Sequence, residues 1–152
     1  MKTEFMDLSR FDLTQENIAL QLDRTQEGGV QKGYVPAYHF YIIDRKTGKN
    51  AGRCDLRLGH NERLYYGGNI GYTVFPDFRG DHFAQKACRA LFKLAKAHEM
   101  DYVIITCDPD NIASRKTLEG LNGELLGVYP LPDWHDMYKA GHLHTCIFKF
   151  KI

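Results

Sequence analysis

Over residues 81–98, apolar positions recur at helical spacing. Ala84, Ala87, Cys88, Leu91, Leu94 and Ala95 share one face, while Lys86, Arg89, Lys93 and Lys96 fall mostly opposite. This predicts an amphipathic helix that buries its apolar face. Residues 102–107, Tyr-Val-Ile-Ile-Thr-Cys, form a short unbroken apolar run of the kind found in buried strands. Residues 38–44 and 69–74 are rich in aromatic and β-branched side chains and also read as strands. Strand, helix and strand over 69–107 make a βαβ unit, which predicts parallel pairing of 69–74 with 102–107.

The remaining elements follow from breakers and caps. Residues 14–25 read as a helix with Thr14 as N-cap, broken by Gly28 and Gly29. Residues 45–50 form a hairpin turn leading to a partner strand over 51–58, and 60–68 read as a polar loop ending in Gly67 and Gly68. A short helix over 111–121 ends near Asn122 and Gly123, which suit a left-handed C-cap. Residues 124–129 and 144–150 form a final strand pair. The predicted fold is a mixed α/β sheet in one domain over residues 1–152.

Composition narrows the function classes. The chain has 152 residues, 43% of them hydrophobic and 26% charged, with a formal net charge of +1. That balance gives no electrostatic grip on nucleic acid or an anionic membrane. No run approaches the ~18 apolar residues of a membrane span, and the N-terminus lacks a signal-peptide core. A cytosolic protein is expected. The four cysteines, Cys54, Cys88, Cys107 and Cys146, lie far apart and read as buried thiols. His142, His144 and Cys146 alternate on a strand but lack a fourth ligand at useful spacing, so no metal is expected.

The candidate chemistry sits at residues 71–84. An apolar strand runs through Pro76 into Arg79-Gly80-Asp81-His82-Phe83-Ala84 and then into the helix. A helix start presents unpaired N–H donors and a partial positive charge, so this layout suits a phosphorylated ligand. Neither a dinucleotide fingerprint nor a Lys-Ser/Thr pair after the glycine is present, which argues against a nucleotide-binding protein.

Val74-x-Pro76-x-x-Arg79 followed by residues 80–84 resembles the pyrophosphate loop of GNAT-type acyl-CoA N-acyltransferases. Asn111 and Ser114 open the next helix as in that family, and the interval from Val74 to Asn111 fits its spacing. The stretches 69–72 and 106–114 resemble a subgroup of predicted acetyltransferases. The resemblance covers roughly residues 38–150. It implies the GNAT fold, in which the central strands splay, with acetyl-CoA as cofactor. It implies an acetyl group moved to a primary amine of a small molecule or peptide by direct attack in a ternary complex. It also implies that main-chain groups of Tyr72, Thr73 and Val74 meet the pantetheine. The N–H groups of Gly80, Asp81, His82, Phe83, Ala84 and Gln85, with Arg79, then face the pyrophosphate. Asn111 and Ser114 border the pantetheine or acyl region, and Lys86, Arg89, Arg115 and Lys116 are candidates for the 3′-phosphate. A homodimer through the C-terminal strand is compatible with such a chain, and a CoA-binding module without catalysis is the alternative function.

Two residues depart from the family pattern. His82 stands where a glycine is usual, so its side chain either points to solvent, crowds the phosphate, or assists it as a cation. Leu118 stands where many relatives carry a tyrosine that protonates the leaving thiolate. The remaining catalytic candidates are Asn111, Tyr72 as a proton relay and Asp108 as a base, with turn formation and capping as the other role for Asp108 and Asp110. Trp134, His135, Asp136 and Tyr138, in the connection over 130–142, combine aromatics with one carboxylate and suit either an amine-binding wall or a surface loop.

Overall fold

The computed structural model describes residues 1–152, the Val30 side chain excepted. Two sheets carry the fold. The first is antiparallel, in spatial order β1 (Thr14–Gln15), β2 (Ile18–Gln26), β3 (Ala37–Asp44), β4 (Asn50–Arg57), β5 (Ile70–Val74). The second holds β6 (Tyr102–Cys107) and β7 (Glu124–Pro130) on either side of β8 (His144–Lys151). Helices α1 (Glu62–Gly67), α2 (Phe83–Ala97), α3 (Ile112–Gly120) and α4 (Asp136–Lys139) complete the chain.

The amphipathic pattern over 81–98 forms α2, which packs against β2 and β5. Leu91 and Leu94 are fully buried there, and such side chains contribute about 1.5–3 kcal/mol each. One core cluster runs through both sheets, from Ile18 and Leu56 to Val103 and Phe148.

The helix expected over 14–25 is not formed. Ile18 and Leu20 point into the core at strand period while Gln21 points out, and this alternation outweighs helix propensity. A turn at Glu16, with φ of 50°, folds β1 back onto β2. Residues 60–68 are not wholly loop, since Asn61 caps α1 by accepting the Leu64 N–H at 2.9 Å. The parallel ladder expected between 69–74 and 102–107 is also absent, because β5 and β6 belong to different sheets. The C-terminal strand has both edges occupied, by β6 and β7, and cannot pair with a second copy; β7 is the open edge.

Candidate active site

Asn69 decides where the two sheets meet. Its main-chain N–H donates to the Ile104 carbonyl at 2.6 Å, and its side-chain oxygen accepts from the Ile104 N–H at 2.8 Å. Its amide nitrogen donates to the Arg57 and Gly59 carbonyls at 3.1 and 2.7 Å. The residue is fully buried and every polar group on its side chain is bonded. Beyond this clasp the strands separate.

The separation exposes one edge of β5. The bonds Arg57 N–H to Asn69 carbonyl and Phe75 N–H to Ala51 carbonyl fix the phase of the β4–β5 ladder. In that phase residues 69, 71, 73 and 75 turn their main chain toward β4. Tyr72 and Val74 turn theirs toward the gap. Arg79 accordingly reaches back and donates its Nε–H to the Val74 carbonyl at 3.0 Å. Thr73 does not have the open main chain expected of it, although the residue borders the gap.

The mouth of the gap is the start of α2. Gly80 has φ of 97° and His82 has φ of 57°, so two left-handed residues turn the chain sharply into the helix. The first bond of the helix runs from the Lys86 N–H to the His82 carbonyl at 3.1 Å. The amides of Phe83, Ala84 and Gln85 therefore have no partner within the helix. Lys86 braces this turn from beneath. Its buried ammonium bonds Asn17 Oδ1 at 2.7 Å and the Asp81 carbonyl at 2.9 Å, and lies 3.3 Å from Glu16. Lys86 is thus committed and unavailable to a 3′-phosphate. Asp81 points away from the gap, accepting from Asn17 Nδ2 at 2.7 Å.

The facing wall is α3. Asn111 caps it, its Oδ1 accepting the Ser114 N–H at 3.1 Å. Tyr72 crosses the gap and donates its hydroxyl to Ser114 Oγ at 3.2 Å. The result is a cleft of about 630 Å³. All the residues expected at the pantetheine and pyrophosphate border it except Asp81, and of the four cations considered for the 3′-phosphate only Lys116 does. Phe78, Ala113 and Thr117, not singled out in the sequence, border it too. Thr117 was legible as a helical neighbour of Ser114, three positions on, and Ala113 as a neighbour of Thr117, four positions back.

The sequence matches the family described as acetyltransferase (GNAT) domain over residues 2–123. The chain belongs to this family. No curated protein matches the GNAT chain by sequence. Among solved structures it is similar to the microcin C7 self-immunity acetyltransferase MccE, determined with acetyl-CoA and AMP (21% identity, TM-score 0.60, 76% of this chain and 61% of that one). It is also similar to a Salmonella typhimurium acetyltransferase that modifies the N-terminal serine of ribosomal protein L7/L12 (22% identity, TM-score 0.58, 80% of this chain and 66% of that one). A third is RimL, an L7/L12 α-N-protein acetyltransferase determined with coenzyme A (20% identity, TM-score 0.59, 80% of this chain and 64% of that one). The GNAT chain spans about three-fifths to two-thirds of the length of these proteins.

Within the GNAT frame the candidate catalytic residues separate. Burial pushes the Tyr72 phenol up to about 12, so it remains protonated and acts as a hydrogen-bond donor, not a base. The Asp108 carboxyl is held below its usual range, first by the Asp110 N–H and then by His142. It closes the turn before α3 through its 2.9 Å bond from the Asp110 N–H and does not border the cleft. That is the turn-forming role, and a carboxylate of lowered basicity is a poor proton acceptor. Leu118 is fully buried in the core, leaving Thr117 on the cleft side of α3. Burial also pushes the Cys107 thiol up to about 12, which makes it a packing residue. His135 is buried and structural: its Nδ1 accepts the Met137 N–H at 3.1 Å, so its Nε2–H donates to the Arg63 carbonyl at 3.0 Å. Trp134 and Tyr138 are exposed nearby, outside the cleft lining.

Proposed function

We propose that the protein is an N-acetyltransferase that moves an acetyl group from acetyl-CoA to a primary amine of a peptide or small molecule. The observation that carries this reading is the wedge between β5 and β6, with open main-chain groups along one wall and a helix N-terminus at its mouth. The residues fit the ligand. Tyr72 and Val74 offer strand-like N–H and C=O groups to the two pantetheine amides. The amides of residues 80–85, strengthened by the α2 dipole, face a diphosphate. Lys116, exposed at the cleft border, is the cation best placed for a further phosphate. The acyl end then lies toward the closed apex, near Tyr72 and Asn111.

The thioester supplies the acetyl group. A neutral amine nitrogen bonds to its carbonyl carbon, the carbon–sulfur bond breaks, and the amine's proton leaves with the thiol. Main-chain N–H on β5 polarises the carbonyl. Tyr72 and Ser114 offer hydroxyl donors near the sulfur in place of the tyrosine that Leu118 replaces. Holding the two reactants together is worth ~7–11 kcal/mol, so a site with no evident base still accelerates the reaction. MccE and RimL, solved with acetyl-CoA and CoA, support the choice of cofactor. The two L7/L12 acetyltransferases support a peptide amine as acceptor.

Calorimetric titration with CoA, ATP and NAD, followed by thiol release from acetyl-CoA over a broad amine panel, tests the reading. CoA binding with amine-dependent thiol release is expected. Binding without release from any amine replaces it with a CoA-binding module lacking catalysis, and no CoA binding removes both.

A further inference from the structure

The outer face of the five-stranded sheet, opposite α2, carries a second polar hollow. Arg53, Asp55 and Arg57 alternate along β4 with the buried Cys54 and Leu56, so they share this face. His39 on β3 and Gly71 on β5 stand either side of Asp55. With Asp23 and Arg24 of β2 these residues border a hollow of about 400 Å³. Tyr72 and Thr73 border both this hollow and the cleft, so only the width of β5 separates them.

The charges on this face are unevenly matched. Asp23 is taken by Arg24 at 2.8 Å and by the Tyr41 hydroxyl at 3.0 Å. Arg57 donates to Asp55 at 3.0 Å and uses its other nitrogen on the Gly67 and Gly68 carbonyls. Arg53 is exposed and has no ion pair or hydrogen bond among the described residues. Desolvation lowers the His39 pKa, so the ring adds no charge at neutral pH. One unopposed guanidinium remains.

Asp55 is the other half of the site. Its Oδ1 accepts the Gly71 N–H at 2.7 Å and its Oδ2 accepts from Arg57, so these two bonds fix the side chain over β5. A Cβ on Gly71 would lie 2.7 Å from that Oδ1, so the missing side chain is what lets the carboxylate sit there. A carboxylate has about four lone-pair sites, and two are still open.

Resting on the acetyl-transfer reading above, we propose that this hollow holds the acceptor, an amine that carries an acidic group. Its ammonium lies on Asp55 and its anion on Arg53. Side chains two positions apart on one strand face stand roughly 6.5–7 Å apart, the reach between an amine and an acid a few bonds away. A peptide N-terminus beside an acidic residue and a free acidic amino acid share this chemistry. The ammonium yields a proton to water before its nitrogen bonds to the acetyl carbon; Asp55, anchored by Arg57, orients the amine.

The test is the preference of the CoA-saturated protein for Ala-Glu-Ala, Ala-Gln-Ala, Ala-Lys-Ala and free glutamate. It is measured by calorimetry and, with acetyl-CoA, by thiol release. Wild type favours the acidic tripeptide over the basic one by on the order of fivefold, the scale of an exposed ion pair. Arg53→Glu reverses the order without changing CoA affinity. Tighter binding of glutamate than of Ala-Glu-Ala assigns a small molecule as the source, and the opposite order a peptide. An order unchanged between wild type and Arg53→Glu overturns the proposal. Reversal in binding without thiol release keeps the acidic-amine site and removes the transfer reading.

Discussion

The seam between β5 and β6 has two ends, built by opposite means. At the apex, Asn69 bonds across the seam with its main chain and its side chain, and no polar group is left over. At the mouth, the main chain of Tyr72 and the Val74 N–H are open, the Val74 carbonyl takes only the exposed Arg79 side chain, and the first turn of α2 leaves its amides open. An apex that is fully bonded fixes the angle of the wedge. A mouth that is largely unbonded has retained the donors and acceptors a ligand needs. Most buried polar groups in proteins are paired within the protein, so a linear row of open ones between two pinned walls is the mark of a built site.

The largest effect is expected from breaking the apex. Asn69→Ala leaves the Ile104 N–H and the Arg57 and Gly59 carbonyls short of partners in a buried place, at ~1–3 kcal/mol each. Partial relaxation brings the expected loss to about 3–5 kcal/mol in urea unfolding. The survivors should also bind CoA more weakly, because the walls are no longer fixed. A variant of wild-type stability would show that the clasp does not hold the sheets.

The mouth breaks differently. Gly80 has φ of 97° and open space around it, so a larger residue meets a conformational obstacle and no clash. Gly80→Val should therefore distort the turn at ~1–3 kcal/mol and weaken CoA by tenfold or more in calorimetry. Arg79→Ala is the control. The one side-chain hydrogen bond of Arg79 among the described residues goes to the Val74 carbonyl, through an exposed side chain, so its loss should cost CoA affinity only a few-fold. Equal and negligible effects of both changes would remove this turn from the site.

A second seam, remote from the cleft, tests whether acid sensitivity belongs to the scaffold or to the site. Met6 N–H donates to the Tyr38 hydroxyl at 2.8 Å, which donates to His98 Nε2 at 2.8 Å; Nδ1–H then donates to the Lys2 carbonyl at 2.8 Å. Burial, its largest cause, lowers the His98 pKa from 6.5, and the same sign holds for His39 and His60. The unfolded chain thus binds more protons below pH 6.5, and stability falls as pH drops from there through the folded value. Urea midpoints taken from about pH 7.5 to about pH 5.5 should decline by about 1–2 kcal/mol equivalent, with a shallower slope in His98→Gln. An unchanged slope in that variant would place the sensitivity elsewhere.

The contrast between apex and mouth also explains what was legible in the sequence. Residues 79–85 are read by a linear pattern, because a phosphate-binding turn is made by consecutive main-chain groups, and the cleft is indeed bordered there. The clasp role of Asn69 was not read and Lys86 stood as a candidate for the 3′-phosphate, since their partners lie far along the chain: Ile104 for one, Asn17 and Glu16 for the other. Residues 14–25 were misread because Ile18, Ala19 and Leu22 suit a helix face while Ile18 and Leu20 suit strand period, and only pairing beside β3 decides. The Asp55–Gly71 pair was equally hidden, as a cross-strand contact exists only once register is known.

The smallest effect separates strain from function at the mouth. His82 occupies a left-handed conformation with φ of 57° and gains no capping bond for it. The left-handed region costs a residue with a Cβ roughly 1–2 kcal/mol, whereas glycine costs about 0.5–1 kcal/mol through the unfolded chain. His82→Gly should therefore stabilise the protein by about 0.5 kcal/mol, seen as a higher urea midpoint. A strained, exposed histidine kept at the edge of an anion site is explained if the ring meets the ligand. The CoA affinity of this variant distinguishes the forms this contact takes. A loss of affinity identifies a ring that helps to hold the phosphate. A gain identifies a ring that crowds the diphosphate. A lower urea midpoint would mean that the His82 side chain makes a stabilising contact that outweighs its backbone strain.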